Sequence, residues 1–228
     1  MSFVSRKIKI SYGITVCNES KELERLMNCL LPNIDNNDEI IILSDKNNVT
    51  TEVISVIERL EKGIYQIKHI SYPLNNDFAS YKNNLIDFAT GNYLFQIDAD
   101  EIPNTYLLKH LKLYLWIFGW KDCFRIPRVN YVEGITDEHI KKWNWKVDKK
   151  NRINYPDLQM RLFKLNKGIK WKNKVHETLI NWSSKKKMPY RWTEKYCLYH
   201  PKQIARQERQ NELYDKIGET LDKTKKDS

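Results

Sequence analysis

The first 104 residues switch repeatedly between strand-like and helix-like spacing of apolar residues. That switching constrains the fold more than any other feature. KISYGITV (9–16) reads as a strand. In the next segment, SKELERLMNCLL, residues Leu23, Leu26, Met27, Leu30 and Leu31 recur on one helical face. Ser20 is expected as the N-cap, with Glu22 and Glu24 favouring the positive end of the helix dipole. EIIILS (39–44) is an almost unbroken apolar run, as a strand buried on both faces requires. VTTEVISVIERLEKG (49–63) predicts a helix ending near Gly63, and YQIKHISY (65–72) a third strand. DFASYKNNLIDFATG (77–91) predicts a helix with Phe78, Tyr81, Leu85 and Phe88 inward, stopped by Gly91. YLFQI (93–97) is a fourth strand. Such alternation builds right-handed βαβ units: an α/β, Rossmann-like, mostly parallel sheet with helices on both faces.

Sheets of this kind bind ligands beyond the carboxyl ends of their strands. The fourth strand ends there in IDADEIP, which places Asp98, Asp100 and Glu101 at a strand tip. Asn18 and Glu19 follow the first strand and Asp45 the second, so three tips bring polar groups to one edge. Acidic residues before Pro103 could simply cap the next helix. The position of Asp98 and Asp100 on the ligand edge favours a divalent cation instead. Mg2+ takes one or two protein carboxylates and completes its shell with substrate phosphates and water. Asp-x-Asp, metal and diphosphate therefore form a coherent set.

After residue 104 the pattern changes. A helix over about 105–118 precedes strand-like CFRIPRVNYVEG, a basic loop, LQMRLFKL (158–165), IKWKNKVHETLI (169–180) and YCLYHP (196–201). This second half is expected to be antiparallel or mixed and to cover the same sheet edge. The apolar stretch LYLWIFGW (113–120) is too short to span a bilayer and is expected to end a buried helix. Charge divides the same way. Residues 1–120 carry 12 Lys and Arg against 15 Asp and Glu, a net of −3; residues 121–228 carry 27 against 14, a net of +13. Five of the seven tryptophans lie in the basic half. This asymmetry points either to a lysine-rich solvated surface or to an anionic partner met around 141–152, 164–174 and 185–191. Trp143, Trp145 and Trp171 are candidates for stacking on sugars or bases, with core packing the plainer role for each. At 228 residues the chain suits one domain, and the four cysteines include no CxxC pair. The N-terminus shows no secretory apolar region, so free thiols in the cytoplasm are the expectation.

ATGNYLFQIDADEIP resembles the segment of family 2 glycosyltransferases in which a helix, a Gly turn and a strand deliver a metal-binding Asp-x-Asp. Lys82 and Asn83 match a basic residue and Asn in the helix before it. MRLFKLNKGIKWKNKVHETL resembles a subgroup reading Arg-Leu-Phe, then Trp, then Val-His-Glu. The resemblance spans roughly residues 10–200. It implies a GT-A fold within a single domain: 1–104 binds the nucleotide sugar, a smaller mixed half at 105–200 binds the acceptor, and 201–228 forms a helical tail. It implies transfer from a nucleotide sugar, with UDP the expected carrier, usually with inversion. Thr15, Asn18, Glu19, Asp45, Lys82 and Asp98 would form the nucleotide site, with Asp45 at the uridine. Asp98, Asp100 and His200 would hold Mn2+ or Mg2+. Glu177 lies near the catalytic carboxylate, and His176 would touch the diphosphate or the metal. The sequence departs from the family where the first strand ends in Val-Cys-Asn-Glu and the second in Ser-Asp-Lys-Asn.

An inverting transfer needs a group to take the acceptor's hydroxyl proton and positive charge on the leaving diphosphate. The expected acceptor is an anionic glycan such as lipopolysaccharide core. A phage-type enzyme acting on modified bases of DNA, in the host cytoplasm, is the alternative, prompted by the opening SYGITVCNES. Peripheral membrane contact is compatible with either. Two other classes compete: an aspartate-nucleophile phosphatase of the HAD type, which also follows a strand with Asp-x-Asp, and a non-catalytic nucleic-acid binder.

Overall fold

The computed structural model of the chain describes residues 8–209 and 211–212. Its first half follows the expected alternation: β1 (Ile10–Val16), α1 (Ser20–Leu30), β2 (Glu39–Asp45), α2 (Thr51–Glu61), β3 (Ile67–Tyr72), α3 (Phe78–Phe88) and β4 (Tyr93–Asp98). These strands lie parallel in the order β3-β2-β1-β4. Alternate side chains go to opposite layers, as the two-residue period of a strand dictates. Ile10, Tyr12, Ile14, Ile40, Ile42, Phe95 and Ile97 pack in one core with Leu23, Leu26 and Leu30 of α1 and Val53 and Ile57 of α2. Ile41, Leu43 and Leu94 face the other core, with Ala79, Tyr81 and Leu85 of α3.

The second half comprises β5 (Ile102–Pro103), α4 (Thr105–Ile117), β6 (Cys123–Glu133), α5 (Asp137–Lys142), β7 (Ile153–Lys164), β8 (Lys170–Lys172), β9 (Thr178–Ile180), β10 (Lys185–Lys187) and β11 (Leu198–Gln203). It is mixed, as expected, but most of it continues the sheet rather than capping its edge. β7 pairs antiparallel with β4 on one side and β6 on the other, and β11 runs parallel to β6. The reason lies in β4: it is buried, and without a neighbour its outer N–H and C=O groups would be unsatisfied. The β8–β9 hairpin packs separately on α3, where Asn83 exchanges two hydrogen bonds with the Trp171 backbone at 2.8 and 3.1 Å. Trp171 is buried and donates its indole N–H to Gln96 Oε1 at 2.8 Å, so it packs the core and is withdrawn from stacking on a partner.

Several local expectations change. Ser20 is the first helical residue of α1, and Glu19 holds the cap position. The Glu19 carboxylate turns back instead, accepting the N–H groups of Cys17 at 2.8 Å and Asn18 at 3.0 Å. Helix α3 ends at Phe88, which is exposed beneath the Lys68 ammonium rather than inward. Gly91 therefore does not stop the helix. A Cβ there would stand 2.7 Å from Ser11 Oγ and 2.9 Å from Lys9 O, so glycine is needed for the close approach to β1. The end of α4 is only half buried. Tyr114 and Leu115 face the core, whereas Leu113, Trp116, Ile117 and Trp120 are exposed. The start of the expected tail, 201–203, belongs to β11, residues 204–209 are helical, and most of the remainder lies outside the described residues. The four cysteines are unpaired, and no described helix is long and apolar enough to cross a membrane.

Gly91→Ala should thus destabilise the fold by about 1–3 kcal/mol, the usual range for overpacking. Urea denaturation measures it, and a midpoint equal to that of the unsubstituted protein would refute the close-approach account.

Candidate functional site

The parallel strands end together, and their tips define the site. Register pairs Thr15 of β1 with Asp98 of β4. The Thr15 hydroxyl donates to Asp98 Oδ1 at 2.8 Å, and Ala99 N bonds Thr15 O at 3.0 Å. The chain then turns, with Glu101 N on Asp98 O at 2.8 Å. The turn buries Asp100 and Glu101 and half-buries Asp98, which is tolerable only with compensating charge.

That charge comes from the second half. Arg161 on β7 ion-pairs with Asp98 and, at 2.7 Å, with Glu101. Arg128 on β6 bridges Glu101 at 3.1 Å and Asp157 at 2.7 Å. Glu101 also accepts the Asp98 N–H and is fully buried, so it braces the tip rather than facing a ligand. Burial alone would raise the pKa of Asp98; the Arg161 guanidinium and the Lys82 ammonium outweigh it and hold the carboxyl well below its ordinary range. The same opposition depresses Asp157 through Arg128. Arg161 and Arg128 were not among the sequence candidates. Their signal was a charged residue inside an apolar strand, in LQMRLFKL and CFRIPRVNYV.

Asp100 meets a second group of cations. His200 Nε2 lies 3.2 Å from Asp100 Oδ2, with Arg206 of the tail at 3.3 Å and Lys202 at 3.9 Å. Burial disfavours the charged imidazole of His200, and although Asp100 works against this, the net shift is downward. A neutral imidazole donates from one nitrogen only. His200 Nδ1 faces Asn130 Oδ1 at 2.8 Å, and the orientation of that amide is set by its Nδ2 donating to Asp157 Oδ2 at 3.0 Å. With Nδ1 turned to Asn130, Nε2 is the nitrogen left to face the carboxylate. An imidazole nitrogen and a carboxylate oxygen so placed can ligate one cation. Among the described residues no three His, Cys, Asp or Glu side chains gather into a ready cluster, because Asp98 is turned to Thr15 and Arg161.

The other candidates line the same edge. Lys82, one turn into α3, ion-pairs with Glu177 of the β8–β9 loop. That loop is anchored by Phe78 N on Lys174 O at 2.9 Å. His176, exposed and with a left-handed φ of 54°, precedes Glu177 in it. Asp45 ends β2, buried, and ties its own loop to the one after β3: it accepts Asn48 Nδ2 at 2.7 Å and Leu74 N at 3.1 Å. Asn18, after β1, is exposed, while Glu19 holds Arg206 at 2.7 Å. Trp143 stacks between His139 and Trp145, with centroids 5.2 and 4.7 Å away, and both tryptophans are half buried.

Replacing Arg161 by Leu would strand Asp98 and Glu101 in the interior and should destabilise the fold by about 3–5 kcal/mol, with Lys recovering part of the loss. Asp98 and Asp157 have folded pKa values below the unfolded value of about 3.9. Their stabilisation is whole above that pH and lost as pH falls beneath it. Urea midpoints of the unsubstituted protein should therefore drop between about pH 5 and pH 3. Unchanged midpoints for Arg161→Leu, or a profile flat with acid, would contradict the tip's charge balance.

A family model described as glycosyl transferase family 2 matches residues 11–174. The SPbeta prophage-derived glycosyltransferase SunS of Bacillus subtilis (strain 168) is 28% identical over 194 residues, covering 84% of this chain and 39% of that protein. Glycosyltransferase SunS of Bacillus phage SPbeta matches to the same extent, so the chain spans 39% of the length of these curated relatives. TarS 1–349 of S. aureus superposes with a TM-score of 0.56 at 14% identity, over 85% of this chain and 60% of that one. A longer TarS structure gives 0.54 at 13% identity, over 85% and 37%. At such identities the likeness concerns fold, and it agrees with the expected GT-A architecture of a mostly parallel sheet between helices. The family match sets aside the phosphatase reading of the acidic tip. With that match running from β1 into the loop after β8, the chain belongs to glycosyl transferase family 2.

Proposed function

We propose that the chain is a metal-dependent, inverting glycosyltransferase acting in the cytoplasm, moving a sugar from a UDP-sugar to a hydroxyl of an anionic glycan. The observation that carries this reading is the meeting of His200 Nε2 and Asp100 Oδ2, 3.2 Å apart at the strand tip. Those two groups, with Asp98 on the same turn, would hold Mn2+ or Mg2+. A bound divalent cation there supplies positive charge to a leaving diphosphate. Lys82 adds a second charge toward the phosphates, with His176 beside it, and Thr15, Asn18, Glu19 and Asp45 border the nucleoside. Asp45 is the group we assign to the uracil or ribose.

Glu177 is our candidate base. As base it would accept the acceptor's hydroxyl proton, and its pairing with Lys82 links base and phosphate site through one lysine. His176 is the next candidate should Glu177 prove dispensable. The exposed lysines of 141–150, 170–174 and 185–187 support an anionic acceptor, with the Trp143–Trp145 stack as a surface for a sugar face.

Two experiments test the reading. Titration with Mn2+, followed by the electron paramagnetic resonance of the free ion, should show one site in the presence of UDP. Asp100→Ala and His200→Gln should each weaken it and abolish turnover of the donor; full turnover in excess EDTA would end the metal proposal. Glu177→Gln should lower transfer by about a hundredfold or more while leaving the thermal shift by UDP intact, and UDP should protect better than ADP. Near-normal transfer by Glu177→Gln would move the base to His176.

A further inference from the structure

We propose that the outward face of the end of α4, together with the lysine strand β10, is a docking surface for an anionic lipid bilayer. The residues are those whose exposure departed from expectation. Leu113, Trp116, Ile117 and Trp120 are 45, 51, 44 and 64% exposed. They recur at helical spacing, and the same face is polar at its start, with Thr105 and Lys109 exposed. A helix face so graded presents two tryptophans and two aliphatic side chains at one end. Contiguous exposed apolar side chains of this kind mark interaction surfaces.

Charge identifies the occupant. β10 pairs with β6 directly beside this helix end: Ser184 Oγ bonds Trp120 O at 3.4 Å, and Tyr114 OH bonds Lys187 O at 3.4 Å. The Lys186 ammonium lies 3.9 Å from the Phe118 ring centroid and the Lys185 ammonium 4.6 Å from that of Trp182, so both charges sit on aromatic faces at the border of the patch. With Lys121 they place four lysines around the patch. Residues 113–125 and 182–188 contain one carboxylate, Asp122, and it is turned inward, accepting Ser183 N at 2.9 Å and Ser184 N at 3.1 Å. Tryptophan and aliphatic side chains bordered by lysines, with Lys185 and Lys187 exposed, match the headgroup zone of an anionic membrane, where indoles settle and ammonium groups meet lipid phosphates. A protein partner of matching shape would need acidic groups instead of lipid; it is an outcome of the test below.

The placement leaves the donor site clear. Gly119, beside the patch, lies near Tyr93 OH, at the start of β4, whereas Asp98 ends that strand. At about 3.3 Å per residue the two sites stand roughly 17 Å apart, at opposite ends of the same strand. A chain docked through α4 would turn the acidic tip toward solution, where a nucleotide sugar dissolves. The inference stands apart from the proposed reaction, and its readout is binding.

The experiment is co-sedimentation with phosphatidylcholine vesicles, with and without phosphatidylglycerol, together with tryptophan emission. The unsubstituted protein should sediment with the phosphatidylglycerol vesicles and shift its emission to the blue. Trp116→Ser with Trp120→Ser should lose the emission shift and weaken binding about tenfold or more. Lys185→Glu with Lys187→Glu should also weaken it at least tenfold, and the Arg replacements should retain it. Thermal midpoints should be unchanged in every variant, and donor turnover in the tryptophan variant, because these side chains are exposed and distant from the tip. Absence of sedimentation, equal binding to both vesicle types, or indifference to the tryptophan changes would overturn the proposal. So would a self-associated species in sedimentation velocity that the tryptophan changes dissolve, since the face would then belong to a second copy.

Discussion

The guanidinium of Arg161 holds the molecule's two halves to one arrangement. It sits on β7, buried, between Asp98 at the end of β4 and Glu101 in the turn beyond. Glu101 is not tolerable in that interior alone, and neither is the guanidinium. Its Nε is buried without a hydrogen-bond partner, so the geometry is governed by the two ion pairs rather than by satisfying every donor. The pairing fixes β7 against β4, which in turn fixes β6, and through β6 the strand that carries His200. Position along the sheet and charge at its edge are thus one constraint.

The charge asymmetry of the chain acquires a local meaning in this light. The acidic tip belongs to the first half, while Arg128, Arg161, Lys202 and Arg206, which surround it, belong to the second. Part of the basic excess therefore answers carboxylates within the molecule. Arg152 is likewise engaged by Asp148 and Glu194. What remains for partners is the exposed lysine population of the loops and of β10.

Much of the parallel half was legible because its cues are local. The helical spacing of Leu23, Leu26, Met27 and Leu30, and the run Ile40–Leu43, need no tertiary knowledge to interpret. The convergence of Asn18, Asp45 and Asp98 at one edge was also legible, because parallel strands with helical crossovers must end together. What escaped depended on contacts distant in sequence. Gly91 resembled a helix stop, but it is glycine because of Ser11, eighty residues earlier. Arg161 appeared only as part of a family-like string, since nothing nearby reveals that its partners are Asp98 and Glu101. The apolar stretch at 113–120 was misjudged because composition carries no direction. A helix can show the same residues to its core or to its outside, and Tyr114 and Leu115 take the inner positions here.

The insertion of β7 between β4 and β6 bears on how the chain is made. Synthesis proceeds from the N-terminus, so β1 to β4 emerge while residue 161 has yet to be joined to the chain. For that interval β4 is a bare edge ending in carboxylates with no guanidinium beside them. The strand that covers it arrives only after α4, β6 and α5 have been made, and pairing across such a separation is slow to close. The acidic tip then has a second use. Like charges at an uncovered edge discourage two nascent chains from pairing there, and the same charges become attractive once Arg161 arrives.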